Sequence, residues 1–201
     1  MKKITLFFAL VFLAFAQGAC SVKEPPILVK LAPIPYEGKI CRVAVLPFDN
    51  QTNYPGAGIF FSRIFANALI VAGTNLVAHE GDTRKVLQQM QVIPGQMPTI
   101  EQIRALADRL GVQIVVYGTI MELREKDDRG KSLDPSMAVI IRILEADSGR
   151  TIWSTYHRRE GGQYRSVMHL GMVSSVTELS KRISDEILDT WYTEGLIRCE
   201  E

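Results

Sequence analysis

Arg42-Val-Ala-Val-Leu-Pro-Phe-Asp-Asn50 is the first stretch of the chain that is apolar, rich in β-branched residues and closed by turn-forming residues. This combination predicts a β-strand, the first of a folded domain. Pro47 has no N–H group to donate to a sheet, and Asp49 and Asn50 can hydrogen-bond their own backbone. We therefore expect the strand to end in a loop there, and this loop is the first candidate functional surface.

The segments that follow alternate between helical and strand patterns. Apolar residues recur at helical spacing over 61–72, and a short strand is predicted at 75–78. Asp82 can cap the next helix, and Thr99 with Gln102 has the form of a capping box that starts a third. The third helix should end at Gly111. This is the best-signalled helix boundary in the sequence.

The second half predicts three strands and a long helix. Most residues from Val112 to Leu123 are apolar, at odd and even positions alike. This pattern is typical of a central strand that is covered on both faces. Gly118 within it should allow the close approach of a helix. Strands 136–146 and 150–159 are joined by a connection short enough to require an antiparallel hairpin. One amphipathic stripe predicts the last helix: Met172, Val176, Leu179, Ile183, Ile187 and Trp191.

The predicted element order is therefore β-α-β-α-α-β-β-β-α. Helices that alternate with strands, followed by an antiparallel run, favour one mixed β-sheet with helices packed on it. The predicted fold class is α/β or α+β. We expect a single domain over residues 41–201.

The beginning of the chain has the layout of a secretory signal peptide. Lys2 and Lys3 precede an apolar run over 4–16, which is too short to span a bilayer comfortably. Gly18-Ala19-Cys20 resembles the lipobox of bacterial lipoproteins, which implies removal of residues 1–19 and lipidation of Cys20. Gln17 departs from that pattern, where leucine is preferred, so secretion with a free Cys20 thiol stays open. By the same resemblance, Ser21 after the cysteine implies the outer membrane.

Residues 20–40 are predicted to be a proline-rich tether between the lipid and the domain. The apolar segment Ile27 to Leu31 within it is either an arm that docks on a neighbouring subunit or a short strand of the parent domain. If Cys20 carries lipid, Cys41 and Cys199 remain as an even pair in an oxidising compartment. Such a pair suggests a disulfide, and two free thiols are the alternative.

Composition and motifs argue against several functional classes. Cleavage removes two of the 23 basic residues and leaves 21 against 22 acidic ones, which is too balanced for nucleic-acid binding. The three histidines, His79, His157 and His169, fall into no metal-binding motif. No serine elbow or phosphate loop is present. We expect no cofactor, no metal and no enzymatic activity.

Three groups of residues resemble a known family. Val43-Ala-Val-Leu-Pro-Phe48 with Asn50, Ala107-Asp-Arg-Leu-Gly111 running into Val115-Val-Tyr-Gly118, and Glu145-Ala-Asp with Gly149 and Trp153 are similar to the periplasmic lipoproteins related to CsgG. That group includes CsgG, PelC, LpoB and the N-terminal domain of TolB, which has an anticodon-binding-like fold. The resemblance covers roughly residues 41–191. It implies a non-enzymatic α/β domain that assembles into rings or docks on an envelope machine.

The leading functional prediction is an outer-membrane lipoprotein that faces the periplasm and acts as a structural or docking part of an envelope assembly. The assembly could serve secretion, polysaccharide export, the flagellum or cell-wall synthesis, and the sequence does not distinguish these. The protein is not expected to form a pore of its own. The predicted docking loop contains Asp49, Asn50, Asn53 and Tyr54. Envelope proteins, the membrane through the lipid and a homo-oligomeric ring are the expected partners. The alternative is a periplasmic sensor that binds a small ligand or glycan at the loop ends.

Overall fold

The computed structural model describes residues 23–35, 37, 40–73, 75–126, 132–165, 171–196 and 199. The signal peptide and Cys20 lie outside this range, as does His169. The strands are β1 Ile27–Lys30, β2 Arg42–Val45, β3 Asp49–Asn50, β4 Leu76–Val77, β5 Ile114–Lys126, β6 Ser132–Glu145 and β7 Thr151–Glu160. The helices are α1 Ala57–Val71, α2 Glu80–Gln89, α3 Ile100–Leu110 and α4 Val176–Thr193, with a 3-10 turn at Gly161–Tyr164.

These strands form one mixed sheet in the order β1-β7-β6-β5-β2-β4, and β3 pairs with β5 beyond the end of β2. β2 is parallel to both β4 and β5. The β5, β6, β7 and β1 pairs are antiparallel. The mixed α/β fold and the predicted β6–β7 hairpin are confirmed.

The opening stretch forms two short strands instead of one. β2 ends at Val45, and pairing with β5 resumes at Asp49. Leu46 still donates to Val116, so the interruption coincides with Pro47, which has no N–H to donate. The side chain of Phe48 turns into the core here and is 1% exposed.

Gly118 makes room for Phe48. A Cβ atom at residue 118 would lie 2.6 Å from the Phe48 ring and 2.9 Å from the carbonyl oxygen of Ile140. The predicted close approach at Gly118 is therefore made by an aromatic ring and a neighbouring strand, and not by a helix. The sequence shows that a glycine sits in a central strand, but it does not show which distant residue needs the space.

Helices cover both faces of the sheet. α1 and α4 pack on one face over the main core, where Phe48, Phe61, Phe65 and Trp191 make aromatic contacts with ring centroids 5.5 to 6.4 Å apart. α2 and α3 pack on the other face over a second core. β5 contributes to both cores, because its alternate side chains Val115 and Val116 point to opposite faces. Its predicted central position is confirmed.

The helix boundaries follow local capping chemistry. The Thr99–Gln102 capping box is present, and Gly111 ends α3 in the left-handed conformation at φ 61°. The cap of α2 was predicted wrongly. His79 is the N-cap residue, and its Nδ1 accepts a hydrogen bond from the Gly81 N–H at 3.2 Å. Asp82 instead lies in the first turn, where a carboxylate suits the positive end of the helix dipole.

The predicted tether contains a strand. β1 pairs antiparallel with β7, from Ile27 opposite Tyr156 to Lys30 opposite Trp153. Leu28 packs against the main core. Of the two alternatives for this segment, the structure has the strand on the parent domain, and the folded part therefore begins before residue 41.

The start of β2 is joined to the chain's C-terminal end. Cys41 and Cys199 are disulfide-bonded, with an S–S length of 2.08 Å and Cα atoms 4.9 Å apart. Nearby, the Asn75 side chain donates to the carbonyl of Ile40, and the Tyr192 hydroxyl donates to Asn75 Oδ1 at 2.9 Å. Across the part of the chain that the structure describes, no helix is both long and apolar enough to cross a membrane.

Candidate functional site

The predicted docking loop is a compact turn organised by Asn50. Its Nδ2 donates to the Tyr54 carbonyl at 2.7 Å, and its Oδ1 accepts from the N–H and the hydroxyl of Thr52 at 3.1 and 2.7 Å. Asp49 Oδ1 accepts from the Asn50 N–H at 2.8 Å. These are the local side-chain-to-backbone bonds that the sequence predicts for Asp and Asn at a strand end. The loop is thus held in shape by its own polar groups.

The four predicted loop residues have different surroundings. Asp49 and Asn50 are half-buried in β3, and Tyr54 packs partly on the main core. Asn53 is exposed. The loop therefore presents Asn53 to solvent from a fixed base, which is the arrangement that a pre-formed binding loop needs.

A hollow of about 300 Å³ lies beside this loop, between Phe48–Asn50, Gly56–Ile59 and Pro94–Gln96. The Tyr117 hydroxyl donates to the Gly95 carbonyl at 2.8 Å and fixes the far wall. Burial raises the pKa of Tyr117, and the nearby charge of Asp49 raises it further. Tyr117 therefore stays protonated at neutral pH and acts as a donor.

A larger groove of about 1090 Å³ shares Ile59 and Pro94 with that hollow. Its floor is the edge of the sheet, formed by Val45, Pro47, Val77 and Ala78. One wall is α1 and the other is α2 with the loop after it. Because these helices belong to opposite layers, the groove opens along the sheet edge.

Charged residues line the rim of this groove. Glu80 accepts from Arg63 at 2.8 Å and from Arg84 at 2.6 Å. The hydrogen bond from Arg63 is the main cause that lowers the pKa of Glu80. Two guanidinium groups share one carboxylate, so the rim carries one net positive charge.

A second polar cluster joins α4 to β7. Glu186 Oε2 accepts from His157 Nε2 at 2.6 Å and from Arg159 Nε at 2.7 Å, and Oε1 accepts from the Tyr164 hydroxyl at 2.9 Å. Burial alone would raise the pKa of Glu186, but these hydrogen bonds lower it to about 2. Burial and the Glu186 charge raise the pKa of Tyr164.

This cluster lies within the fold and not in a cleft. His157 and Arg159 are 2% and 4% exposed, and both their side chains are directed at one carboxylate. Its geometry suits a structural role, since all three donors converge on one carboxylate and connect α4 to β7 and to the 3-10 turn.

Sequence reasoning missed both the groove and the Glu186 cluster. The sequence did contain evidence for the cluster. Alternate residues of a strand share one face, so His157 and Arg159 lie on the same face of β7 as buried Trp153 and Thr155 and point into the same core. Two inward-facing basic residues need an acidic partner. Within the described ranges, no group of three or more His, Cys, Asp or Glu residues could hold a metal ion.

Known protein structures share the fold of this chain. No protein-family model matches the chain, and no curated protein sequence matches it significantly. One structure of a PelC dodecamer from Paraburkholderia phytofirmans matches 84% of this chain and 98% of the PelC chain, at 19% identity and a TM-score of 0.54. A second PelC dodecamer structure matches 83% and 96%, at 19% identity and 0.51.

The C-terminal domain of LpoB from Salmonella enterica matches 59% of this chain and 82% of that chain, at 18% identity and a TM-score of 0.45. The PelC matches show that this chain has the PelC fold. At this level of identity they show the fold alone.

Proposed function

We propose that this protein is a periplasmic lipoprotein, anchored in the outer membrane through Cys20, that serves as a non-enzymatic docking component of a cell-envelope assembly. The observation that carries the proposal is the pre-formed loop Asp49–Tyr54, which presents exposed Asn53. The signal-peptide pattern and the PelC fold support the location and the class.

The ion-paired carboxylates among the described residues support docking over catalysis. Glu80 and Glu186 are each held by ion pairs with two basic side chains. A carboxylate in a fixed ion pair is a poor general acid or base, because its pKa is held far from neutral. Protein docking therefore accounts for these features better than catalysis does.

Site-directed crosslinking tests the docking loop. A cysteine at Asn53, in the otherwise native lipidated protein, should crosslink to one discrete partner in intact envelopes. Asp108→Cys is the matched control, because Asp108 is exposed on α3 away from the loop. Equal crosslinking from both positions, or none from Asn53, would refute docking through this loop.

The volume of the groove favours a second candidate, a ligand-binding sensor. About 1090 Å³ is slightly above the usual range for small-molecule sites, so the groove has room for a ligand of that class. A ligand present at a hundred times its dissociation constant would add about 2.7 kcal/mol to the free energy of unfolding. A thermal-shift screen with periplasmic metabolites and glycans should produce no shift of this size if the protein is a docking component.

A further inference from the structure

Both ends of the described sheet are open edges. β1 pairs with β7 alone, and β4 pairs with β2 alone. An open edge exposes unpaired backbone N–H and C=O groups, and proteins usually protect such an edge with charge, a bulge or a covering segment. Here the two open edges lie at opposite ends of the same sheet.

The β1 edge is unusually apolar for an exposed strand. Ile27, Val29 and Leu31 are 59%, 49% and 63% exposed, and they share one face. Leu28 points the other way, into the main core. The single charge in the strand, Lys30, is drawn back to its own subunit by Glu194 at 2.7 Å.

The β4 edge lies in the groove and has room for one strand. Leu76 and Ala78 donate to the carbonyls of Cys41 and Val43, so the N–H and C=O of Val77 between them face the groove. A strand covered on both faces occupies roughly 160 Å³ per residue, from the spacings between strands, layers and residues. The groove of about 1090 Å³ therefore holds about seven residues.

We propose that β1 of a second copy of this chain enters the groove and pairs with β4, so that one sheet continues from copy to copy. The inference rests on the proposed function, since it names a second copy as one partner of the docking component. The contact is heterologous: each copy gives β1 to one neighbour and its groove to the other, which generates a ring if the rotation closes.

The strand directions and faces fit this pairing. β1 runs antiparallel to β4 within the sheet, so copies placed in a row form an antiparallel ladder. Leu28 then faces the neighbour's α1 wall. Ile27, Val29 and Leu31 face its α2 wall, which covers the apolar groups that the single copy leaves exposed.

Charge favours the same alignment. In an antiparallel ladder, the N-terminal end of β1 lies beside the end of β4 where Glu80 begins α2. The exposed residue Glu24 precedes β1, and the rim there carries one net positive charge from Arg63 and Arg84 around Glu80. Lys23 is held away, 4.2 Å from the centre of the Tyr164 ring of its own subunit.

Two complementary variants test the pairing. Val29→Lys places a charge on β1, and Ala66→Trp fills the groove from α1, which Ala66 lines. Native mass spectrometry of the full lipidated chain in detergent should find the wild type assembled and each variant alone monomeric. A mixture should give a one-to-one dimer and nothing larger, because a single intact β1–groove pair remains. A cooperative thermal melt of each variant checks that it folds, and a Tm somewhat below that of the assembled wild type is expected.

Ile100→Lys is the matched control, since Ile100 is 42% exposed but lies at neither edge. It should assemble like the wild type. Assembly of either variant alone, or a mixture that stays monomeric, would overturn the pairing. A monomeric wild type would overturn it too, and if that monomer still carried lipid and crosslinked at Asn53, the proposed function would stand without it.

Discussion

Glu186 connects three buried or half-buried donors from two elements, β7 and the 3-10 turn, to helix α4. Only 26% of its side chain is exposed, against 49% for Glu178 in the same helix. A carboxylate with several partners holds a helix to a sheet far more firmly than an exposed ion pair does. Its removal also leaves the Arg159 charge buried without a partner.

Glu186→Gln should therefore cost about 3 to 5 kcal/mol of unfolding free energy at neutral pH. The folded pKa of about 2 is below the ordinary value of 4.5, so the stabilisation is complete above pH 4.5 and is lost as the pH falls towards 2. Denaturant unfolding across that window should show a steeper loss for the wild type than for the variant. Glu178→Gln, at an exposed pair, should change stability by less than about 1 kcal/mol. An equal pH slope in wild type and Glu186→Gln would contradict this role.

Gly118 and Phe48 form a second critical pair. Gly118→Ala would place a methyl group 2.6 Å from the Phe48 ring, so we expect a loss of about 1 to 3 kcal/mol. The double variant Phe48→Leu/Gly118→Ala should lose less unfolding free energy than the sum of the losses in the two single variants. The difference, which is the coupling energy, should be about 0.5 to 3 kcal/mol. Strict additivity in denaturant unfolding would show that the two residues do not compete for this space.

At the scale of elements, local chemistry explains what the sequence could predict. The α3 boundaries were predictable because the capping box and Gly111 act within one turn of the helix. The β6–β7 hairpin was predictable because Asp147-Ser148-Gly149 leaves no other connection. In both cases the deciding residues are neighbours in sequence.

Features that depend on distant residues were not predictable. β1 is a strand because β7 offers it an edge, and β3 exists because β5 extends beyond β2. The groove depends on how α1 and α2 pack on either side of the sheet edge, which no periodicity encodes. The turn at Asp49–Tyr54 was predictable from its own residues, whereas its position beside the hollow and the groove was not.

The capping box gives a prediction at this scale. Thr99→Ala removes the side-chain acceptor for the Gln102 N–H and should cost about 1 kcal/mol. Thr193→Ala, at an exposed position in the last turn of α4, should stay within about 0.5 kcal/mol of the wild type. Chemical denaturation of both variants measures these changes in unfolding free energy. Equal losses in the two variants would mean that the cap contributes nothing specific.

At the scale of the whole molecule, the Cys41–Cys199 bond closes a loop with a sequence separation of 158 residues. In the chain-entropy model such a loop stabilises the folded state by about 4 to 5 kcal/mol. Cys41→Ser/Cys199→Ser should therefore lower the Tm under oxidising conditions. Reductant should lower the wild-type Tm towards that of the variant and leave the variant unchanged. An unchanged Tm in the double variant would remove the bond from this account.

We propose that lipidated Cys20 anchors the domain at the outer membrane, with β1 and the Asp49–Tyr54 loop as its contact surfaces. Mass spectrometry of the N-terminal peptide, together with fractionation of Cys20→Ser, tests this most directly. We predict a mature chain that begins at lipidated Cys20 in the outer membrane, and release of Cys20→Ser into the soluble periplasm. An unlipidated N-terminus, or a Cys20→Ser variant that stays in the outer membrane, would contradict the account.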